Sequence, residues 1–315
     1  MNHLYPRIAP SAIYLIDVGD GHLAHVEECG NPDGRVVLFI HGGPGSGCNA
    51  GHPRYFDPRH YRIVLVDQRG SGRSTPPGAT RANTTDLLVR DLETIRRRLG
   101  IDRWLLFGGS WGATLALAYA QRHGGAVSGM ILRGTFLARR EDLAWFFGAD
   151  GAARVFPDAY SELLRVVPSA ERGDLIGAYH RRVHGDDAAV ADESARAWSR
   201  WADRVATWTL PPSEEQVATD RHRLVAKVRI ETHYAVNGYF LRDRPLLDGV
   251  SRLPDVPVTV VHGRRDLVCP VEAAWTLHRA IPGSRLILLS DAGHLAVEPA
   301  IIDALVGETD RLRGR

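Results

Sequence analysis

Trp104-Leu105-Leu106-Phe107-Gly108-Gly109-Ser110-Trp111-Gly112-Ala113-Thr114-Leu115-Ala116-Leu117-Ala118-Tyr119 is an apolar run, a serine set between glycines, and then a helix-forming run. A Gly-x-Ser-x-Gly pentapeptide between a strand and a helix forces a sharp turn. Glycines stand where side chains would collide, and the serine Oγ is left exposed at the helix N-terminus. The pentapeptide alone is common. Its placement after one apolar run and before a second gives it the context a nucleophile elbow requires, and makes Ser110 the candidate nucleophile.

An acid and a base follow downstream. Asp266 lies in Val260-Val261-His262-Gly263-Arg264-Arg265-Asp266, and His294 in Asp291-Ala292-Gly293-His294. Serine, then aspartate, then histidine is the chain order of α/β-hydrolases and differs from the chymotrypsin and subtilisin orders. Of the competing histidines, His262 precedes the acid, His41 lies in a turn, His233 falls in the central helical region and His278 lies within an expected helix.

Working outward, Val36 to Ile40, Tyr61 to Val66, Gly129 to Arg133, Val256 to Val261 and Arg285 to Leu289 are short apolar runs bounded by glycine or polar turns. They read as buried parallel strands. Helical patterns at Asp86 to Leu99, Ser110 to His123 and Val271 to Ala280 alternate with them, so the expected fold is a mostly parallel sheet with helices on both faces. From about 136 to 248 the alternation stops and helical periodicity takes over. The expected organisation is a catalytic domain of residues 1–135 and 249–315 with a helical cap, 136–248, inserted into it.

Composition narrows the partners. With 39 basic and 37 acidic residues the net charge is +2, and no long basic run marks a nucleic-acid footprint. No apolar run reaches the roughly 18 residues of a membrane span, and Met1 to Arg7 lacks the apolar core of a signal peptide. A cytoplasmic location is therefore expected. Three cysteines, Cys29, Cys48 and Cys269, have neither the number nor the spacing of a disulfide framework or a zinc site. No cofactor or metal is expected, and oligomeric state is left open.

His41-Gly42-Gly43-Pro44-Gly45 follows the run Val36 to Ile40 directly. A glycine-rich turn there lets a backbone N–H approach a developing oxyanion, and Gly43 is the expected donor, with the Trp111 N–H as the second. Loss of one such donor typically costs about 2.7–4 kcal/mol of transition-state stabilisation. Asp67-Gln68-Arg69-Gly70-Ser71-Gly72-Arg73-Ser74 is expected to be a structural loop under the site, since Asp67 precedes the elbow and no Gly-Lys-Ser/Thr follows to cradle a phosphate.

These segments, together with Gly263-Arg264-Arg265-Asp266-Leu267-Val268-Cys269-Pro270, Leu132-Arg133-Gly134-Thr135-Phe136 and Val155-Phe156-Pro157-Asp158-Ala159, resemble the proline iminopeptidase family of serine peptidases over about residues 31–311. The resemblance implies an α/β-hydrolase with a helical cap that releases an N-terminal residue, typically proline, from a peptide or amide. It also implies that Glu231, in Arg229-Ile230-Glu231, anchors the substrate's amino group; the plainer alternative is a helix-surface pair with Arg229 or Lys227.

Two positions depart from the family pattern. Ala202 stands where a glutamate usually follows tryptophan, and Asp203 is one residue late, a rotation of about 100° on a helix. Ala235 stands where phenylalanine usually follows His-Tyr, which implies a larger or differently shaped pocket. Phe136, Ala202, Ala235 and Cys269 are the candidate pocket residues, with Glu214 or Glu215 as a further source of negative charge. Cys269 is read either as packing near the site or as an inert buried thiol. The expected substrate is a small peptide or aminoacyl amide. Removal of an aminoacyl cap from a non-peptide amine, and small-molecule esterase chemistry, remain alternatives.

Overall fold

Alternate residues of the central strands feed two different cores. In β3 (Arg35–Ile40) Leu38 and Ile40 join one apolar cluster while Val37 and Phe39 join the other. β4 (Tyr61–Val66) divides Val64 and Val66 from Ile63 and Leu65 in the same way, and β5 (Trp104–Gly109) divides Trp104 and Leu106 from Leu105 and Phe107. A strand whose side chains alternate between two buried faces reads as a continuous apolar run, which is why these segments were legible.

The computed structural model describes residues 3–210 and 220–313. Its eight-stranded sheet runs β1-β2-β4-β3-β5-β6-β7-β8. β1 (Ala12–Gly19) and β2 (His22–Gly30) form an antiparallel pair, and β2 joins β4 antiparallel. β3 to β5, then β6 (Val127–Arg133), β7 (Val258–Gly263) and β8 (Arg285–Leu289) are parallel. The antiparallel pair at the edge was not expected from the sequence. Ile13 and Leu15 face solvent, so β1 lacks the apolar continuity that marked the inner strands.

One face of the sheet is covered by α1 (Thr85–Arg98), α2 (Trp111–Arg122) and α8 (Val271–Ala280), whose buried residues join the larger cluster. α9 (Pro299–Arg311) packs on the other face with Ile301, Leu305 and Val306. α2 is apolar all round and buried from Trp111 to Ala120, as a helix sandwiched between layers must be.

Between β6 and β7 come α3 (Arg140–Phe147), α4 (Pro157–Arg165), α5 (Leu175–His184), α6 (Ala188–Ala206) and α7 (Arg221–Val236). Among the described residues of 136–248 there is no strand. Trp198 and Trp201 are buried inside this helical layer, Trp198 stacking on Phe147 with centroids 4.5 Å apart.

Candidate active site

The elbow is built by steric exclusion. A Cβ on Gly112 would stand 2.1 Å from the Ile40 carbonyl, and one on Gly108 would stand 2.3 Å from the Gly112 carbonyl. Only glycine lets α2 start this close to β3 and β5. The chain turns through Ser110 at φ 57° and ψ −124°, a conformation that L-residues other than glycine adopt only when their surroundings impose it. The Ser110 N–H donates to the Arg133 carbonyl at 2.8 Å, which ties the turn to β6.

Asp266 follows β7, and His294 lies in the turn between β8 and α9. They meet at 2.7 Å, His294 Nδ1 to Asp266 Oδ2. The other carboxylate oxygen accepts the Val268 and Cys269 N–H groups at 2.9 and 2.8 Å. Burial alone would raise the Asp266 carboxyl; the His294 imidazole and the Cys269 N–H more than offset it and hold the group below its ordinary range. An ionised carboxylate only accepts, so Nδ1 carries the hydrogen and Nε2 is left with its lone pair. The His294 turn is clamped by a residue that sequence reasoning missed: the buried Glu298 carboxylate accepts the Gly293 N–H at 2.7 Å and the Leu295 N–H at 3.0 Å.

His262 has a different task. Its Nδ1 accepts the Thr135 N–H at 3.0 Å, so Nε2 bears the proton and donates to the Cys269 carbonyl at 2.8 Å. The ring is neutral, burial pushes its pKa down, and it props the Asp266 loop from beneath. Arg133, also missed, donates from Nη1 to the His294 carbonyl at 2.6 Å, and the same nitrogen lies 3.5 Å from His294 Nε2. A charged residue ending an otherwise apolar strand was the signal that could have found it.

The glycine turn after β3 lies against the elbow. A Cβ on Gly42 would be 3.1 Å from the Gly109 carbonyl and 3.6 Å from the Ser110 Cβ, and Gly43 takes φ 114°. The Trp111 N–H belongs to the first turn of α2, where N–H groups have no intrahelical acceptor. Gln68 joins these two parts: its Oε1 accepts the Trp111 indole N–H at 2.8 Å and its Nε2 donates to the His41 carbonyl at 2.9 Å. Asp67 accepts the backbone N–H and Nε of Arg73, each at 2.9 Å, and Arg69 pairs with Asp91 at 2.8 Å, so this loop braces the site from below.

Cys269 lies in the loop between β7 and α8, whereas Phe136, Trp145, Trp208 and Tyr239 come from residues 136–248. Cys269 is buried, with its thiol in hydrogen-bonding reach of the Ser110 hydroxyl, and burial pushes its pKa well up. Phe136 meets Tyr239 edge to face at 4.8 Å, and Tyr239 packs on Trp111 at 5.4 Å. No sequence signal pointed to Tyr239, whose backbone is left-handed at φ 53° and whose hydroxyl pKa is pushed up by burial and by the Glu231 carboxylate. Trp145 and Trp208 donate their indole N–H groups to the Leu267 and Arg265 carbonyls at 2.8 and 2.9 Å, flanking Asp266 in sequence.

α7 closes the arrangement. A Cβ on Gly45 would stand 2.9 Å from the Lys227 carbonyl and 3.3 Å from the Ile230 Cβ, so α7 lies directly on the glycine turn. Glu231 accepts the Trp198 indole N–H at 3.0 Å and pairs with Lys227 at 3.6 Å. Arg229 instead donates to the Val183 carbonyl at 2.8 Å. Ala235 is buried on α7, Ala202 is half-buried on α6, and Asp203 is exposed beside it. Glu214 and Glu215 lie outside the described residues. Among the described residues no group of three or more His, Cys, Asp or Glu side chains is set to hold a metal.

Residues 35–300 match the family described as the alpha/beta hydrolase fold, and the sheet order and crossovers are those of that class. A proline iminopeptidase of Xanthomonas citri is 49% identical over 313 residues, covering 98% of this chain and 99% of that protein. A probable proline iminopeptidase of Leptolyngbya boryana is 46% identical over 312 residues, covering 99% and 97%. At that identity over nearly the whole length, the chain belongs to the proline iminopeptidase family. Among solved structures, a proline iminopeptidase-related protein from Thermus thermophilus superposes with a TM-score of 0.60 at 23% identity, covering 96% of each chain. An esterase from a Rhodococcus species gives 0.61 at 22%, covering 94% of this chain and 96% of that one. These two show the fold alone.

Proposed function

We propose that the protein hydrolyses the amide bond after a free N-terminal aminoacyl residue, proline or another small one, through a covalent acyl-enzyme on Ser110. The observation that carries this reading is the position of α7. α7 packs on the glycine turn through Lys227 and Ile230, and the next residue, Glu231, is a buried carboxylate whose charge reaches the hydroxyl of Tyr239, the ring packed on Trp111; an exopeptidase needs such an anionic partner for the substrate's ammonium. The names of the relatives support proline as the first residue to test.

The steps follow from charge placement. Ser110 Oγ turns from the Cys269 thiol to His294 Nε2, which takes its proton as Oγ attacks the carbonyl carbon. Asp266 stabilises the imidazolium. The oxyanion points to the Gly43 and Trp111 N–H groups. The imidazolium then gives its proton to the leaving amine, and water, deprotonated by the same nitrogen, releases the amino acid. Residues 136–248 serve as the cap over the catalytic residues of 1–135 and 249–315, with Phe136, Ala202, Ala235 and Cys269 lining the pocket.

No helix among the described residues is long and apolar enough to cross a membrane, and Cys29, Cys48 and Cys269 are unpaired thiols, which suits a reducing, cytoplasmic setting. The test is kcat/KM on fluorogenic amides of Pro, Ala, Gly and Leu with free and acetylated amino groups. Faster cleavage of the free forms, lost in Ser110→Ala along with fluorophosphonate labelling, is the expected result. Equal rates on acetylated amides would overturn the amino-group anchor.

A further inference from the structure

We propose that Lys227 is a specificity determinant of this site, a tethered cation that competes with the substrate's amino group for Glu231. The inference rests on the reading of Glu231 as the anchor. Both oxygens of that carboxylate have a partner within the protein: Oε2 accepts the Trp198 indole N–H at 3.0 Å and Oε1 lies 3.6 Å from Lys227 Nζ. A carboxylate offers about four lone-pair positions, so an incoming ammonium finds room. It must take its place beside an ammonium already there.

The pair is poorly explained as helix stabilisation. Lys227 precedes Glu231 by four residues, the weaker of the two orders for such a pair on a helix. The Glu231 side chain is 13% exposed, and the Lys227 side chain 32% exposed, whereas ion pairs that only decorate a helix lie in solvent. Backbone drift does not relieve the competition, because the Lys227 carbonyl is pressed against Gly45. Only the flexible lysine side chain can move aside.

Charge balance makes the consequence definite. Asp203 acts on both members of the pair from α6, raising Lys227 and Glu231 alike, while Glu231 itself is the main reason Lys227 stays an ammonium. Two carboxylates and one ammonium leave a single net negative charge. One substrate ammonium neutralises it, whereas without Lys227, at a pH above the raised Glu231 pKa, the same cluster carries two. Lys227 therefore weakens the grip on a free amino terminus and narrows the advantage that free substrates hold over acylated ones.

The decisive measurement is calorimetric titration of L-prolinamide and N-acetyl-L-prolinamide into the Ser110→Ala protein carrying Lys227, Lys227→Met or Lys227→Arg. Lys227→Met is expected to bind prolinamide about tenfold more tightly, with the acetylated compound unchanged and Lys227→Arg matching the parent. With Ser110 intact, Lys227→Met should lower KM for free prolyl amides and leave kcat alone. Unchanged or weaker prolinamide binding by a folded Lys227→Met protein overturns the proposal, as does an equal gain for the acetylated compound or no measurable binding by any variant. Failure of the function itself reads differently: the Lys227-containing enzyme would then cleave no free aminoacyl amide, whatever the titrations show.

Discussion

Ser110 holds its unusual backbone angles because Gly108, Gly109 and Gly112 leave nothing to push it out of them and its own N–H is bonded to Arg133. Cys269, within hydrogen-bonding reach of that serine, has a thiol that burial keeps protonated, so alkylation should be slow at neutral pH. Once Cys269 carries a bulky maleimide, hydrolysis is expected to fall in step with modification, and Cys269→Ser is expected to stay active and resist the reagent. A Cys269→Ser enzyme as sensitive as the parent would place the inhibition at another cysteine. Glu231 supplies a pH signature. Burial raises its pKa above the ordinary carboxylate value, and the anchor exists only while the group is charged. The preference for free over acetylated amides should thus be full above the raised pKa and fade as pH falls through it, sooner than an exposed glutamate would allow. Profiles of kcat/KM for the two substrate sets check this, and Glu231→Gln should flatten the difference at every pH.

Turns hold the candidate catalytic groups, and each turn is clamped by a side chain from a neighbouring element. The His294 turn depends on Glu298 at the start of α9, whose carboxylate takes two N–H groups and a hydroxyl from Thr209 at 3.2 Å. Charge-assisted bonds of this sort contribute about 1.5–3 kcal/mol each. Glu298→Ala is expected to cost about 2 kcal/mol in urea unfolding and to lower kcat far more than KM, because His294 loses its fixed place while the pocket does not. At this scale the sequence was legible wherever an element was buried on two faces. β3, β4 and β5 announced themselves by apolar runs, and α2 by the elbow before it. β1 and α9 did not, since β1 exposes Ile13 and Leu15 and α9 interleaves its buried residues with polar ones. Asp266 and His294 were readable from chain order. Glu298, Arg133 and Tyr239 were not, because clamping and packing roles leave no spacing rule behind them.

Across the whole molecule, the loop after β4 joins the sheet to the site. Asp67 is buried without solvent contact on its side chain, and burial would raise its pKa, but His41, Arg73 and the Cys48 N–H together hold it below its ordinary value. A group depressed in the folded state adds stability that is present above its unfolded pKa and disappears as pH falls through the folded one. Asp67→Asn is therefore expected to cost about 2 kcal/mol at pH 7, and the gap to the parent should close as the pH is taken into the range where Asp67 protonates. Urea unfolding at several pH values measures it; a gap independent of pH would assign the loss to packing. Fold class, the chain order of the candidate residues Ser110, Asp266 and His294, and the glycine turn were determined by sequence alone. They rest on local requirements: burial on two faces, steric room for a turn, and donors beside it. Only the tertiary structure decided that α7 lies on the glycine turn and that Lys227, not Arg229, pairs with Glu231. Those facts depend on how an inserted helical layer settles on the sheet, and two cations near one carboxylate in sequence are indistinguishable until packing chooses between them.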